Sequence, residues 1–395
     1  VTEIGAGTRK GGNFISEWFG HRIYPMARSD DAVLRDQQME RCPFLSAAKG
    51  EPNRCIKNEK SRGVCTVSTT SGGRRQDWLV CPYRALDPSL LSSTVRRLFG
   101  FGDAQPATIM PAIRLADPEM RAEVADRLNA GERVFIYFDE KLGGELSIPS
   151  TSRSPEFSFD VTIIEVEWAD GRPHVGRFGV LEIQTMDFHG TYGHAVRNLK
   201  DTLRMLPERF AEMLNQTPRL MSEKVEGPNI ANVFKRTFYQ MMFKFQLGRS
   251  ERCAGCALAI PQAVWDSWKP HLGEPVLVPQ GDGTFNLFQP GRERPPHVPA
   301  WVFVFDLDMA SPQTPAPINI ASIIATDAPS FSYYALDVAP AAALENIATP
   351  DGMISLLARR LAGLWPDLAR TIVINGQELL RPKRSRRKRD PASLS

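Results

Sequence analysis

The sequence predicts an α/β fold in which helices flank a mixed central sheet. Three observations point there. Strand signals follow one another from RVFIYFD at 133–139 to RFGVLEIQT at 177–185, the reading turns helical after Gly190, and strand character returns in WVFVFDLD at 301–308. Strands, then long helices, then strands favour an α/β or α+β arrangement over an all-α or all-β one. With 395 residues the chain can bury a large core, and the length suggests two or three domains or one elaborated domain.

The elements follow in chain order. Residues 1–13 are Gly- and Thr-rich and read as a frayed start. From about residue 14 to 100 there are few long periodic runs but four of the six cysteines, the pattern of a small module held together by something other than its own apolar core. Asp117 to Ala130 reads as a helix closed by Gly131. Strand signals then come at 133–139, 144–148 (GELSI), 159–167 (FDVTIIEVE) and 177–185, the last two separated by a segment containing the turn pair Asp170–Gly171. In NIANVFKRTFYQMMFKFQL, 229–247, Ile230, Val233 or Phe234, Phe238, Met241 and Phe245 recur at helical spacing. Pro261 to Trp268 reads as a second helix with proline near its first turn. SPQTPAP at 311–317 reads as a loop, and helix signals return at 352–364.

Net charge is +3, but its distribution matters more than its sum. Residues 381–395 hold seven Lys or Arg against Asp390 alone, a contribution of +6, so the other 380 residues carry −3. A body that is not broadly basic binds nucleic acid only through a local groove. The tail reads either as a solubilising terminus or as a source of non-specific phosphate affinity. The absence of an N-terminal signal-like run, and of any stretch near the roughly 20 apolar residues that span a bilayer, gives the expectation of a cytoplasmic protein without a membrane partner.

The segment FGVLEIQTMDFHG, 178–190, poses the chemical question. Alternation places Glu182 and Gln184 on one side of a strand and Leu181, Ile183 and Thr185 on the other. If the strand pairs with its predecessor about Asp170–Gly171, Glu182 meets Asp160, which opens that predecessor. Two carboxylates meeting there repel unless they share a cation or a proton. Oxygen ligands favour Mg²⁺ or Mn²⁺, with the backbone carbonyl of Ile183 as a further donor. Such a metal suits phosphodiester hydrolysis, and Gln184 can only orient and hydrogen-bond, since an amide is neither acid nor base at neutral pH. The competing reading is a solvated or salt-bridged glutamate on an ordinary strand.

Cys42, Cys55, Cys65 and Cys81 are separated by 12, 9 and 15 residues. Four thiolates can form a closed tetrahedral site that supplies folding energy, with iron or zinc equally suited, or they can be four unrelated buried thiols. Cys253 and Cys256 form a lone CAGC with nothing nearby to complete a site, and read as buried small hydrophobes.

These residues carry a resemblance. CPFLSAAK at 42–49, SRGVC at 61–65, DWLVCPYRALDP at 77–88, EKLGGELSI at 140–148, SPEFSFD at 154–160, FGVLEIQTMDFHG at 178–190 and EGPNIANVFKRTFYQM at 226–241 resemble the NotI family of rare-cutting Type II restriction endonucleases. The likeness runs from about residue 14 to 308 and is faint beyond. It implies a PD-(D/E)xK nuclease core with a mixed central sheet flanked by helices and an inserted N-terminal four-cysteine metal-binding module. The divisions it suggests are 1–100 for the region with that module, 101–310 for the nuclease core, 311–380 for a C-terminal extension and 381–395 for a basic tail.

The resemblance further implies Mg²⁺-dependent cleavage of double-stranded DNA at a GC-rich palindrome, leaving 5′ overhangs, by a homodimer in a prokaryotic cytoplasm. It puts the family's Asp on Asp160, its Glu on Glu182 and its usual Lys on Gln184, a variant the family shares. It also puts an iron-bearing site on Cys42, Cys55, Cys65 and Cys81. Glu145 is a candidate extra carboxylate. Lys235, Arg236 and Gln240 on the 229–247 helix, with Arg74, Arg75 and Lys57 in the cysteine module, are candidate DNA donors, the first three beside or opposite the helix's apolar line. The alternatives are a catalytically silent DNA-binding protein and a related nicking nuclease.

Overall fold

The computed structural model describes residues 12–28, 30–71, 74–308, 311, 313–345, 350–374 and 377–378. The basic tail expected at 381–395 and residues 1–11 of the expected frayed start lie outside the described residues.

The chain begins with strands β1 (Phe14–Trp18) and β2 (His21–Arg22), helices α1 (Asp31–Gln38) and α2 (Pro43–Lys49), and strands β3 (Val64–Ser71) and β4 (Arg74–Leu79). The four strands form an antiparallel sheet in the order β2-β1-β3-β4. This region packs into an apolar core that it does not build alone. Ile15, Trp18, Phe19, Val64 and Val67 pack against Ala195, Leu199, Leu203, Phe210 and Leu214, which the chain supplies far downstream. Helix α3 (Pro88–Phe99), which the sequence reading lacks, has clear local punctuation. The Asp87 carboxylate accepts the Ser89 amide, Pro88 takes the first turn, and Gly100 ends the helix at φ +69°.

The larger part is built on a nine-stranded mixed sheet. After β5 (Ala107–Pro111) and α4 (Pro118–Asn129) come β6 (Arg133–Phe138), the short pair β7 (Leu146–Ile148) and β8 (Phe157–Phe159), then β9 (Val161–Ala169) and β10 (Arg172–Ile183). Helices α5 (Gly193–Met205), α6 (Phe210–Gln216) and α7 (Ile230–Leu247) lead to β11 (Cys253–Pro261) and α8 (Gln262–Trp268). The chain continues through β12 (Val278–Pro279), β13 (Phe285–Asn286), β14 (Ala300–Leu307), β15 (Ile318–Thr326) and α9 (Ala328–Tyr333). The strand order is β12-β13-β15-β14-β11-β10-β9-β6-β5. Strands β6, β9 and β10 pair antiparallel in turn, whereas β11 and β14 run parallel to β10. The β9–β10 turn is the Asp-Gly turn read from sequence. Both residues take positive φ, +53° and +70°, as a type I′ hairpin turn requires.

Period-two alternation divides the side chains between two faces. Leu181, Ala257, Ala259, Trp301, Phe303 and Phe305 join the core beneath α3. Val180, Leu258, Ile260, Val302 and Val304 join the core beneath α7, α8 and α9. Helix α3 lies close because Gly179 and Gly255 stand opposite each other in register. A Cβ at Gly179 would come within 3.0 Å of Leu98. The same alternation turns Glu182 toward α7. No helix among the described residues is long and apolar enough to cross a membrane.

Candidate functional site

Strand register creates the carboxylate pair. Leu181 pairs with Val161, so Glu182 stands opposite Asp160 at the junction of β8 and β9. Each backbone holds the other's side chain. The Ile183 amide donates to Asp160 Oδ2 at 2.9 Å, and the Asp160 amide donates to Glu182 Oε1 at 3.3 Å. The Ile183 side chain turns into the opposite core, as alternation requires.

Helix α7 closes over this edge. Its apolar stripe is the one read from sequence, with Val233, Phe234, Met241 and Phe245 buried. Two polar residues that the sequence reading passes over share that face. Lys244 is 3% exposed and its ammonium donates to Glu182 Oε2, while lying 5.6 Å above the Phe159 ring. Thr237 is buried and its hydroxyl donates to Gln184 Oε1. Gln184 in turn donates one N–H to the Thr185 carbonyl. The available signal is a lysine inside MMFKF, on the side of the helix carrying Val233, Thr237 and Met241.

The electrostatics follow from burial. Glu182 is pushed up to about 7, first by desolvation and then by the charge of Asp160, against the opposing effect of Lys244. Asp160 also lies above the usual carboxylate range. Crowding is again the main cause, offset by the Ile183 amide and Lys244 and reinforced by Glu145. Its residue surface nonetheless stays open to solvent, so the crowding is one-sided. Glu145 is exposed, and the β7–β8 register, with Leu146 opposite Phe159, brings it alongside Asp160.

Asp160 and Glu182 are a hard-oxygen donor pair whose mutual repulsion a dication would relieve, so the residues present fit Mg²⁺ or Mn²⁺. Among the described residues, no three His, Cys, Asp or Glu side chains converge as a ligand group, so Glu145 does not complete a three-carboxylate cage here.

That finding applies equally to the cysteine module. Cys42 caps the start of α2, Cys65 lies on β3, Cys81 follows β4, and Cys55 sits in the connecting loop. Their backbones are tied together: the Val80 amide donates to the Cys65 carbonyl at 3.0 Å, and Gly63 N–H reaches Cys55 Sγ at 3.4 Å. Burial pushes the Cys42 thiol up to about 12, with the Cys81 and Cys55 charges adding to it. Burial likewise raises Cys65 and Cys81. The four thiols are thus electrostatic neighbours in one module, but they are not drawn in as a closed ligand cage.

The basic candidates separate by their surroundings. Lys57 turns inward and donates to the Val64 and Val80 carbonyls at 2.7 and 2.8 Å, bracing the cysteine module. Arg75 reaches the surface but is held by Ser68, Asp77 and the Tyr24 carbonyl. The side chain of Arg74 lies outside the described residues. Lys235, Arg236 and Gln240 are exposed together on the outer face of α7, with Arg236 paired to Asp187. Cys253 and Cys256 are buried in β11, and the Cys256 thiol donates to the Lys244 carbonyl at 2.7 Å.

No protein-family model matches the chain, and no curated protein matches it either.

Proposed function

We propose that this chain is a Type II site-specific endonuclease of the PD-(D/E)xK class, hydrolysing double-stranded DNA with Mg²⁺. The observation that carries the reading is the Asp160–Glu182 pair, cross-linked backbone to side chain on adjacent antiparallel strands, with Gln184 two residues on. The scaffold supports it. A three-stranded antiparallel unit, β6-β9-β10, is followed through helices by β11 parallel to β10.

Asp160 and Glu182 would hold the metal, with the Ile183 carbonyl as a third donor. When bound, Mg²⁺ would neutralise charge on the scissile phosphate and acidify a water. The chain's own groups set the geometry. Asp160 has one oxygen fixed by the Ile183 amide and, among the described residues, no hydrogen bond to the other. Gln184 is anchored at its carbonyl by Thr237 and at one N–H by Thr185, which leaves its second N–H to orient a water or a phosphate oxygen. The exposed donors Lys235, Arg236 and Gln240 lie on the helix that covers the pair and suit phosphate or guanine edges.

A homodimer, with one active site per strand, fits palindromic cleavage with 5′ overhangs at a GC-rich site. Cys42, Cys55, Cys65 and Cys81 are proposed to hold a structural iron or zinc. The burial of Cys42, Cys65 and Cys81 beside the half-buried Cys55 within one module supports this, and element analysis of the purified protein tests it.

The deciding experiment incubates the protein with a long GC-rich DNA of known sequence, in Mg²⁺ and in EDTA, and maps the ends at base resolution. Discrete ends that need Mg²⁺ and vanish in Asp160→Ala are the expected result. Tight binding to one sequence without cutting would instead define a silent DNA-binding protein.

A further inference from the structure

Among the described residues, Lys244 is the one lysine that is buried. A buried ammonium persists only when paired, and a partner removed from either side leaves an uncompensated charge. Its partner is Glu182, one member of the carboxylate pair, and its ammonium also lies over Phe159, the residue before the other member. One side chain of α7 therefore touches both flanks of the pair. Seven residues earlier, two helical turns along the same face, Thr237 holds Gln184. Glu182 and Gln184 are thus each gripped from α7, although β10 and its extension carry both. The solvent side of the same helix presents Lys235, Arg236, Tyr239 and Gln240, of which Gln240 lies beside the buried face of Thr237 and Lys244 and Lys235 farthest from it.

We infer that α7 is the coupling element of this protein: Lys244 and Thr237 position Glu182 and Gln184, so that a polyanion seated on the outer face of α7 sets the geometry of the inner site. Lys244 is here a positioning residue that acts through Glu182, supplied by a helix rather than by the strand bearing the carboxylates. The inference rests on the nuclease reading for its substrate, not for its contacts. A helix held rigidly at two points two turns apart cannot shift on one face without moving the other. Docking and chemistry therefore share one lever.

The test compares the wild-type chain with Lys244→Met, Lys244→Arg and Thr237→Val. The readouts are Mn²⁺ binding by calorimetry without DNA, DNA affinity in Ca²⁺, and the single-turnover cleavage rate in Mg²⁺. Lys244→Met is expected to keep DNA affinity within ~3-fold while losing ~100-fold or more in single-turnover rate, and Lys244→Arg to recover at least a tenth of it. Thr237→Val, isosteric and able to fold whatever becomes of Lys244→Met, is expected to lose ~10-fold in rate at unchanged DNA affinity. For both weakened variants, Mn²⁺ affinity should change alongside the rate. Wild-type rates and Mn²⁺ affinity in both Lys244→Met and Thr237→Val would overturn the coupling while leaving the nuclease reading intact. A wild-type chain that neither binds Mn²⁺ nor cuts DNA would remove both.

Discussion

The carboxylate edge and the cysteine module assemble candidate ligands in opposite ways. At the edge, Asp160 and Glu182 are placed by strand register, and each accepts a backbone amide from the other's strand. Backbone pairing of β9 with β10 alone sets their register. In the module, the four cysteines come from a helix cap, a loop, a strand and a turn. The apolar support there is shared with α5 and α6. A site built on register can keep its geometry without an ion, as the proposed exchange of Mg²⁺ would require. A site built from loops depends on whatever its ligands grip. The two are also joined: the Met186 amide, just beyond Gln184, donates to the Leu79 carbonyl at 2.8 Å, two residues before Cys81.

The largest effect should come from breaking the edge chemically while leaving its register intact. Asp160→Ala is expected to lower DNA cleavage by at least ~1,000-fold, with unchanged circular dichroism, because it removes a metal donor and not a strand. If the variant cuts at more than a tenth of the wild-type rate, Asp160 is no ligand. The next effect lies in the module. Purified protein is expected to contain about one iron or zinc per chain, and stripping it should cost roughly 3 kcal/mol or more. Limited proteolysis should then nick the 50–62 loop first, while the β9–β10 hairpin stays protected. A stripped protein with unaltered protease resistance would return the thiols to four unrelated buried cysteines.

These differences in construction explain what is legible in the sequence. Glu182 facing Asp160 needs only alternation and an Asp-Gly turn, both local signals. Lys244 and Thr237 reach residues 62 and 53 positions away, and those contacts depend on how α7 lies across the sheet, which no periodicity encodes. The module reads as coreless for the same reason, since Leu199, Phe210 and Leu214 arrive more than a hundred residues later. Lys57 reads as a DNA donor because a basic side chain in a polar loop usually faces water. Here two strand-end carbonyls capture it instead.

A smaller effect sharpens the contrast through pH. Glu182 ordinarily titrates at 4.5 and in the folded protein at about 7, so between those values the native state holds a proton that the unfolded state has released. Stability from this group is therefore greatest below its ordinary value and is lost as pH rises through about 7. Under the proposed function, Mg²⁺ held by the ionised pair should reverse the loss. Millimolar Mg²⁺ is expected to raise the melting temperature by roughly 2–5 °C at pH 8 and by little at pH 5.5. The difference should disappear in Asp160→Asn. An equal gain at both pH values would place the bound Mg²⁺ elsewhere.

The smallest effect belongs to the exposed face of α7. Arg236 and Asp187 are a surface pair, both more than half or about half exposed, so losing it should alter stability by only about 0–0.5 kcal/mol. Asp187 lies in the segment just beyond Gln184, and an incoming phosphate must draw Arg236 away from it. The two partners should thus have opposite effects on DNA. Arg236→Ala is expected to weaken binding several-fold and reduce the salt slope by about one, whereas Asp187→Asn should tighten binding by freeing the guanidinium. A filter-binding salt titration of both variants separates the possibilities. If Arg236→Ala instead relaxes sequence preference at one position with the salt slope unchanged, Arg236 reads a base edge and not a phosphate. If neither variant changes binding, the polyanion lies on another face, and α7 serves the carboxylate pair from the inside alone.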